Sequence, residues 1–119
     1  MGTSFVEYRS FGFWSRDSFL ESWLGTLLGE MREGPRGEAW QDSLIEKWTV
    51  QSTIDGGVMC LGLDELLVEE KRLNYVLTNA RNALGRSDSL GRRTGELSIE
   101  LLEGKLKTTE SSPVDYFDD

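Results

Sequence analysis

Three pairs of carboxylates close in sequence are the only catalytic side chains that the chain offers in quantity. They are Asp64 with Glu65, Glu69 with Glu70, and Glu100 with Glu103. Hydrolysis of a glycosidic bond needs two carboxyl groups held across a cleft with opposite pKa shifts. Adjacent carboxylates at the start of a helix have a simpler role, since they interact favourably with the helix dipole. We therefore expect no catalytic residue among them and no enzymatic activity.

The residue types that support other kinds of chemistry are scarce. The sequence has no histidine, and Cys60 is its single cysteine. Because histidine titrates near neutrality and is the commonest metal ligand, its absence excludes a Ser-His-Asp triad and removes the usual metal sites. No EF-hand, Walker A or GxGxxG spacing occurs. The sequence thus predicts no metal and no cofactor, and Cys60, within an apolar run, is predicted to be a small buried hydrophobe.

The charge of the chain indicates which partners it favours. Acids outnumber bases 21 to 13, which gives a net charge of −8. This surplus repels nucleic acid and anionic membranes, and the basic cluster of Arg86, Arg92 and Arg93 is too small to bind nucleic acid. A cationic protein is the favoured partner, although acidity that only maintains solubility explains the charge equally well. With one cysteine, no signal peptide and no apolar run of about 20 residues, we expect a cytoplasmic protein.

The hydrophobic pattern predicts a mainly α fold: a helical hairpin plus a third and a fourth helix, with a short extended apolar segment. One globular domain is expected over residues 1–107, followed by a flexible acidic tail at residues 108–119. The chain is predicted to begin with an aromatic extended segment at 1–14, followed by a helix with its apolar stripe at 19–31 and a second helix at 37–51. An extended segment at 58–63 precedes a third helix, which begins after Glu65 and has Gly85 as its C-terminal cap. A mobile polar loop is expected at 86–95, and a helix is favoured over a strand at 95–107.

Two further predictions concern a pair of glycines in the first helix and the four tryptophans. Gly25 and Gly29 lie at the edge of the apolar stripe, where each costs helix stability, so we expect the close approach of a second helix. Trp23, Trp40 and Trp48 are predicted to lie in the core. Trp14 is also favoured as a core residue but is the candidate for an exposed aromatic anchor.

Two acidic surfaces are the candidate partner-binding sites. The first surface comprises Asp55, Asp64, Glu65, Glu69 and Glu70. The second lies in the tail, which holds four acids and no base and comprises Asp115, Tyr116, Asp118 and Asp119. In the tail, an aromatic pair flanked by carboxylates has the chemistry to dock into a basic groove, whereas a disordered terminus is the commoner explanation.

Four short motifs resemble small immunity proteins of bacterial polymorphic-toxin and contact-dependent growth inhibition systems. The motifs are Tyr8-x-x-Phe11-Gly12-Phe13-Trp14, Phe19-Leu20-x-x-Trp23-Leu24, Trp48, and Gly62-Leu63-Asp64-Glu65-Leu66-Leu67, and they span roughly the first two thirds of the chain. The resemblance implies stoichiometric inhibition of one cognate toxin domain inside the producing cell, and it transfers no functional residue. The acidic charge favours a nuclease as that toxin, because a nuclease active site is basic where it holds phosphates. Alternative hypotheses are a homodimeric adaptor that associates through Gly25 and Gly29, and an enzyme that uses paired carboxylates.

Overall fold

The chain folds as a β-hairpin followed by helices. The computed structural model describes residues 3–35, 37–53 and 61–109. In these ranges the elements are β1 (Thr3–Tyr8), β2 (Phe11–Arg16), α1 (Asp17–Glu33), α2 (Ala39–Ser52), α3 (Leu63–Leu66), α4 (Glu70–Leu84) and α5 (Ser89–Leu102). The predicted mainly α fold is confirmed. The longest of these helices, α1, has 17 residues, and no helix in the described ranges has the length and apolar character needed to cross a bilayer.

The aromatic N-terminal segment is extended, as predicted, and forms two antiparallel strands. Tyr8 pairs with Phe11 across a two-residue turn. Arg9 and Ser10 in that turn have φ angles of 52° and 75°, the positive values that a type I′ turn requires. Alternate residues face inward and are buried or partly buried: Ser4, Val6, Tyr8, Phe11, Phe13 and Ser15. The hairpin therefore covers one side of the helical core.

Helix α1 is the central helix and packs against α2, α4 and α5. Its apolar stripe is buried as predicted, with Leu20, Trp23, Leu24, Leu27, Leu28 and Met31 in the core. Trp48 of α2 is 1% exposed, whereas Trp40 is only partly buried at the edge of the core. The N-terminal cap of α1 is Arg16. The preceding Ser15 points inward and shares a buried hydrogen bond of 2.9 Å with Thr94 of α5.

The C-terminal part differs from the prediction. The loop predicted at residues 86–95 is wrong from Ser89 onwards, because α5 begins at Ser89 and ends at Leu102. The Asp88 side chain caps this helix by accepting a 2.9 Å hydrogen bond from Gly91 N. The chain then returns to the hairpin, where Gly12 N donates to Thr108 O at 2.9 Å. Of the extended segment predicted at 58–63, residues 58–60, with Cys60, lie outside the described ranges, and Leu63 is helical.

Close helix approach occurs at a glycine pair that the sequence did not single out. Apart from the backbone of its own helix, a Cβ atom added at Gly25 or Gly29 would meet no atom of the described residues within 4 Å, so the predicted close approach at these two residues is wrong. A Cβ added at Gly95 of α5 would lie 2.6 Å from Cε3 of Trp23, and one at Gly91 would lie 2.8 Å from Trp23 N. Helices α1 and α5 are close because these two positions lack side chains.

Candidate binding surface

Four of the predicted binding acids meet at the junction of α3 and α4. Asp64 and Glu65 lie in α3, Glu69 is the N-terminal cap of α4, and Glu70 is its first residue. All four are exposed, and so is Val68, whose relative exposure of 67% is high for an apolar side chain. We call these five residues the acidic corner. The other acid predicted for this surface, Asp55, lies outside the described residues, as do Asp115, Tyr116, Asp118 and Asp119 of the tail.

Two leucines explain why the acidic corner faces solvent. Leu63 and Leu67 are 5% and 2% exposed and lie one helical turn apart. They hold α3 against the core, so the side chains of Asp64, Glu65 and Val68 are directed outward. Gly62, before α3, has a φ of 63°, a left-handed conformation that glycine adopts without steric cost.

The four acids of the corner differ in how far their charge is already compensated. Asp64 Oδ1 accepts a 2.8 Å hydrogen bond from the backbone N–H of Arg9 in the hairpin turn. Glu69 Oε1 lies 3.0 Å from Nε of Arg72. Neither Glu65 nor Glu70 forms an ion pair with any residue of the described ranges. Glu65 and Glu70 are therefore the least compensated acids of the corner. Lys47 Nζ lies near Glu65, since Lys47 Nζ and Glu65 Oε2 lie 3.9 and 4.0 Å from the position of a Cβ added at Gly62.

An aromatic and cationic cluster adjoins the acidic corner and was not predicted. The guanidinium carbon of Arg72 lies 5.1 Å from the centroid of the Trp40 ring, and Tyr75 packs edge-on against the same ring at 5.3 Å. The indole N–H of Trp40 donates to Glu38, which also lies 3.3 Å from Nζ of Lys71. These contacts connect the first turns of α2 and α4. In the sequence, this cluster was indicated only by the spacing of Glu69 and Arg72, which are three residues apart at the start of a helix.

The electrostatics of this cluster act on Glu38. The hydrogen bond from Trp40, followed by that from Lys71, holds the pKa of Glu38 below its ordinary value. Both interactions favour the ionised carboxylate. Lys71 and Arg72 are thus engaged by Glu38, Glu69 and the Trp40 ring, and they fix the edge of the acidic corner.

Trp14 is not part of the acidic corner. It is partly exposed on the outward face of the hairpin, where its ring centroid lies 5.2 Å from that of Phe5. Asp64 contacts the hairpin turn, and Trp14 lies four residues beyond Ser10, about 13 Å along the strand at 3.3 Å per residue. The structure therefore places Trp14 and the acids on separate surfaces.

No known protein family, curated protein or solved structure shows significant similarity to the chain. The interpretation of the acidic corner consequently depends on its own geometry.

Within the described residues, none of the paired carboxylates lines the cavity in the core. A cavity of about 20 Å³ lies in the core and is lined mainly by apolar side chains such as Trp23, Trp48 and Leu102, with no carboxylate in its lining. Glu103 instead lies 2.7 Å from Arg81, whose hydrogen bond is the main cause of a lowered pKa for Glu103. Within the described residues, histidine, cysteine and acidic side chains form no group of three that could hold a metal ion.

Proposed function

We propose that the protein is a stoichiometric inhibitor that binds a cationic partner protein through the acidic corner. The observation that carries this proposal is Val68, an apolar side chain that is 67% exposed and is flanked in sequence by the exposed acids Glu65, Glu69 and Glu70. Protein interfaces combine an apolar centre with a polar rim, and charged rim residues accelerate association with an oppositely charged surface. Glu65 and Glu70 supply that rim because they have no ion-pair partner in the described part of the chain.

A toxin domain of the nuclease class is the partner that this chemistry fits. A nuclease binds phosphates and therefore presents a basic surface around its active site. An acidic inhibitor associates rapidly with such a surface and blocks access of nucleic acid to it. The four short motifs that resemble immunity proteins support the same kind of partner, and we propose the cytoplasm of the producing cell as the compartment of the complex.

The experiment compares two double variants that lose the same charge. Glu65→Gln/Glu70→Gln neutralises the acidic corner, and Glu21→Gln/Glu46→Gln neutralises two other exposed acids, on α1 and α2. The partner is recovered from the native host by copurification with the tagged protein, and its association rate is then measured against ionic strength. We expect the corner variant to associate roughly 3- to 10-fold more slowly at low salt and the control variant to resemble the wild type.

A second readout tests inhibition itself. The partner's nuclease activity should fall to zero at a 1:1 ratio of the wild-type protein, and Val68→Asp should raise the ratio required, because it places a charge in the apolar centre. A partner without nuclease activity would contradict the toxin assignment. An association rate that is independent of salt, or equal for the two double variants, would contradict the acidic corner as the binding surface.

The alternative, a homodimeric adaptor that associates through α1, stays a prediction. Gly25 is exposed, and a Cβ at Gly25 or Gly29 would meet no described atom within 4 Å, so the face is open to a second copy. Gly25→Ala/Gly29→Ala should then weaken self-association in sedimentation equilibrium.

A further inference from the structure

Strand β1 has an edge that no backbone group of the described chain covers. In a hairpin with a two-residue turn, Tyr8 and Phe11 exchange hydrogen bonds, and every second residue directs its N–H and C=O away from the partner strand. On β1 these residues are Thr3, Phe5 and Glu7. The same alternation is visible on β2, where Gly12 opposes Glu7 and its N–H donates to Thr108 O, away from β1.

The two edges of the hairpin therefore differ. Thr108 covers the edge of β2 at Gly12. The Gly12 N–H donates to the backbone oxygen of Thr108, and the Thr108 hydroxyl donates to the backbone oxygen of Gly12. Along the edge of β1, Thr3 and Glu7 are exposed and Phe5 is partly buried. Within residues 3–35, 37–53 and 61–109, no backbone hydrogen bond reaches these three residues from outside the hairpin. An exposed strand edge is a template for pairing with another chain.

We propose that β1 pairs antiparallel with β1 of a second copy and joins the two hairpins into a four-stranded sheet. The two-fold axis passes through a Phe5–Phe5 pair, and Thr3 of each copy lies opposite Glu7 of the other. In this register all three residues with outward-directed backbone groups find partners, so the two strands exchange hydrogen bonds along their whole length. The interaction is separate from the acidic corner and goes beyond the proposed function.

Side chains on the outward face select this register. Phe5 already packs against Trp14 at 5.2 Å within one copy, so a Phe5–Phe5 pair creates a row of four aromatic rings across the sheet. Glu7 lies opposite a neutral threonine, and the next residue across the sheet is Arg16, the partner of Thr3 on β2. A shift of four residues would instead place Glu7 opposite Glu7, which like-charge repulsion disfavours.

Substitutions at Thr3 test both the dimer and its register. Thr3→Lys places an ammonium opposite Glu7 twice in each dimer, and Thr3→Glu places a carboxylate there. From the magnitude of exposed cross-strand pairs, we expect the dimer dissociation constant to fall roughly three- to fivefold with lysine and to rise by a similar factor with glutamate. Sedimentation equilibrium measures this constant as the mass rises with concentration from 13.5 kDa towards twice that value.

Two controls make the result specific. Thr3 is exposed but lies opposite Arg16 on β2, so lysine should slightly lower and glutamate slightly raise the urea midpoint of the monomer, opposite in sign to their effects on the dimer. Amide hydrogen exchange at Phe5 and Glu7 should slow as the protein concentration rises, because their N–H groups become bonded only in the dimer. A protein that stays monomeric at millimolar concentration overturns the proposal, and so does a dimer that responds to Gly25→Ala but not to the charge at residue 3.

Discussion

Gly95→Ala is expected to destabilise the protein even though alanine is the better helix former. The added Cβ would lie 2.6 Å from Cε3 and Cζ3 of Trp23 and 3.1 Å from its Cδ2. Trp23 is 2% exposed and enclosed by the core, so its ring has no space into which to move. Overpacking of this kind costs about 2–3 kcal/mol, and the gain in helix propensity returns about 1 kcal/mol. The net loss in the free energy of unfolding is about 1–2 kcal/mol.

Urea denaturation followed by circular dichroism and tryptophan fluorescence measures this loss. With an m-value of about 2 kcal/mol/M, the midpoint should fall by about 0.5–1 M. Gly91→Ala should act in the same direction, because its Cβ would lie 2.8 Å from Trp23 N and 3.1 Å from Trp23 Cα, backbone atoms that move only if the helices separate. Coincident transitions by the two probes would justify the two-state analysis.

Gly25→Ala is the matched control within the same helix pair. Outside the backbone of α1, no atom of the described residues lies within 4 Å of the added Cβ, so only the helix propensity changes and the protein should gain about 0.5–1 kcal/mol. The reasoning predicts opposite signs for two chemically identical substitutions. If Gly95→Ala and Gly91→Ala stabilise the protein as much as Gly25→Ala does, the close packing of α5 on Trp23 is refuted.

Two polar contacts give further predictions. Thr94→Val removes the buried 2.9 Å hydrogen bond to Ser15 and should lower the free energy of unfolding by about 1–2 kcal/mol in urea titrations; an unchanged midpoint would show that this bond contributes nothing. The bond from Gly91 N, followed by that from Ser22, lowers the pKa of Asp88 below its unfolded value, so its stabilisation is present above pH ~3.9 and is lost as the pH falls through the folded pKa. Asp88→Ala should therefore lower the urea midpoint at pH 7, and its difference from the wild type should shrink below about pH 4. A difference that persists below about pH 4 would contradict this role of the ionised Asp88 side chain.

The elements that were predictable from sequence are those in which one helix face is continuously apolar. The spacing of Trp23, Leu24, Leu27 and Leu28 defines α1 without knowledge of its neighbours, because burial of such a face stabilises a helix in almost any packing. Aromatic content likewise predicted an extended N-terminal segment. It could not identify the hairpin, because Arg9 and Ser10 adopt positive φ angles without the Asn-Gly or Asp-Gly that usually marks a type I′ turn.

The first half of α5 was not predictable because its stability is tertiary. Gly91 and Gly95 lower helix propensity, and in sequence they indicate a loop. In the structure they are the residues that let α5 approach Trp23, so the cost in propensity is offset by burial of an indole. For the same reason the spacing of Gly25 and Gly29 was misleading, since a glycine pair has this role only when a large side chain faces it. The acidic corner was predictable in its residues, but its exposed Val68 and the cluster around Trp40 depend on how α3 and α4 pack.

Net charge overstates the negative surface that a partner can use. Arg86 lies 3.1 Å from both Glu30 and Glu33, and Arg81 and Lys105 lie 2.7 and 3.2 Å from Glu103. Exposed pairs of this kind add little stability, but each cancels a carboxylate locally and reduces the potential that an approaching cation meets. Only the acids that form no ion pair with a cation can therefore attract a cationic partner strongly.

At the α3–α4 junction that condition is met by two residues. Glu69 is engaged by Arg72, and Asp64 is used to hold the hairpin turn, which leaves Glu65 and Glu70 on either side of Val68. Their loss should slow association, whereas loss of Asp64 should first loosen the contact between α3 and the hairpin. Asp64→Asn keeps an oxygen that can accept from Arg9 N, so comparison of Asn with Ala at this position separates the charge of Asp64 from its structural bond.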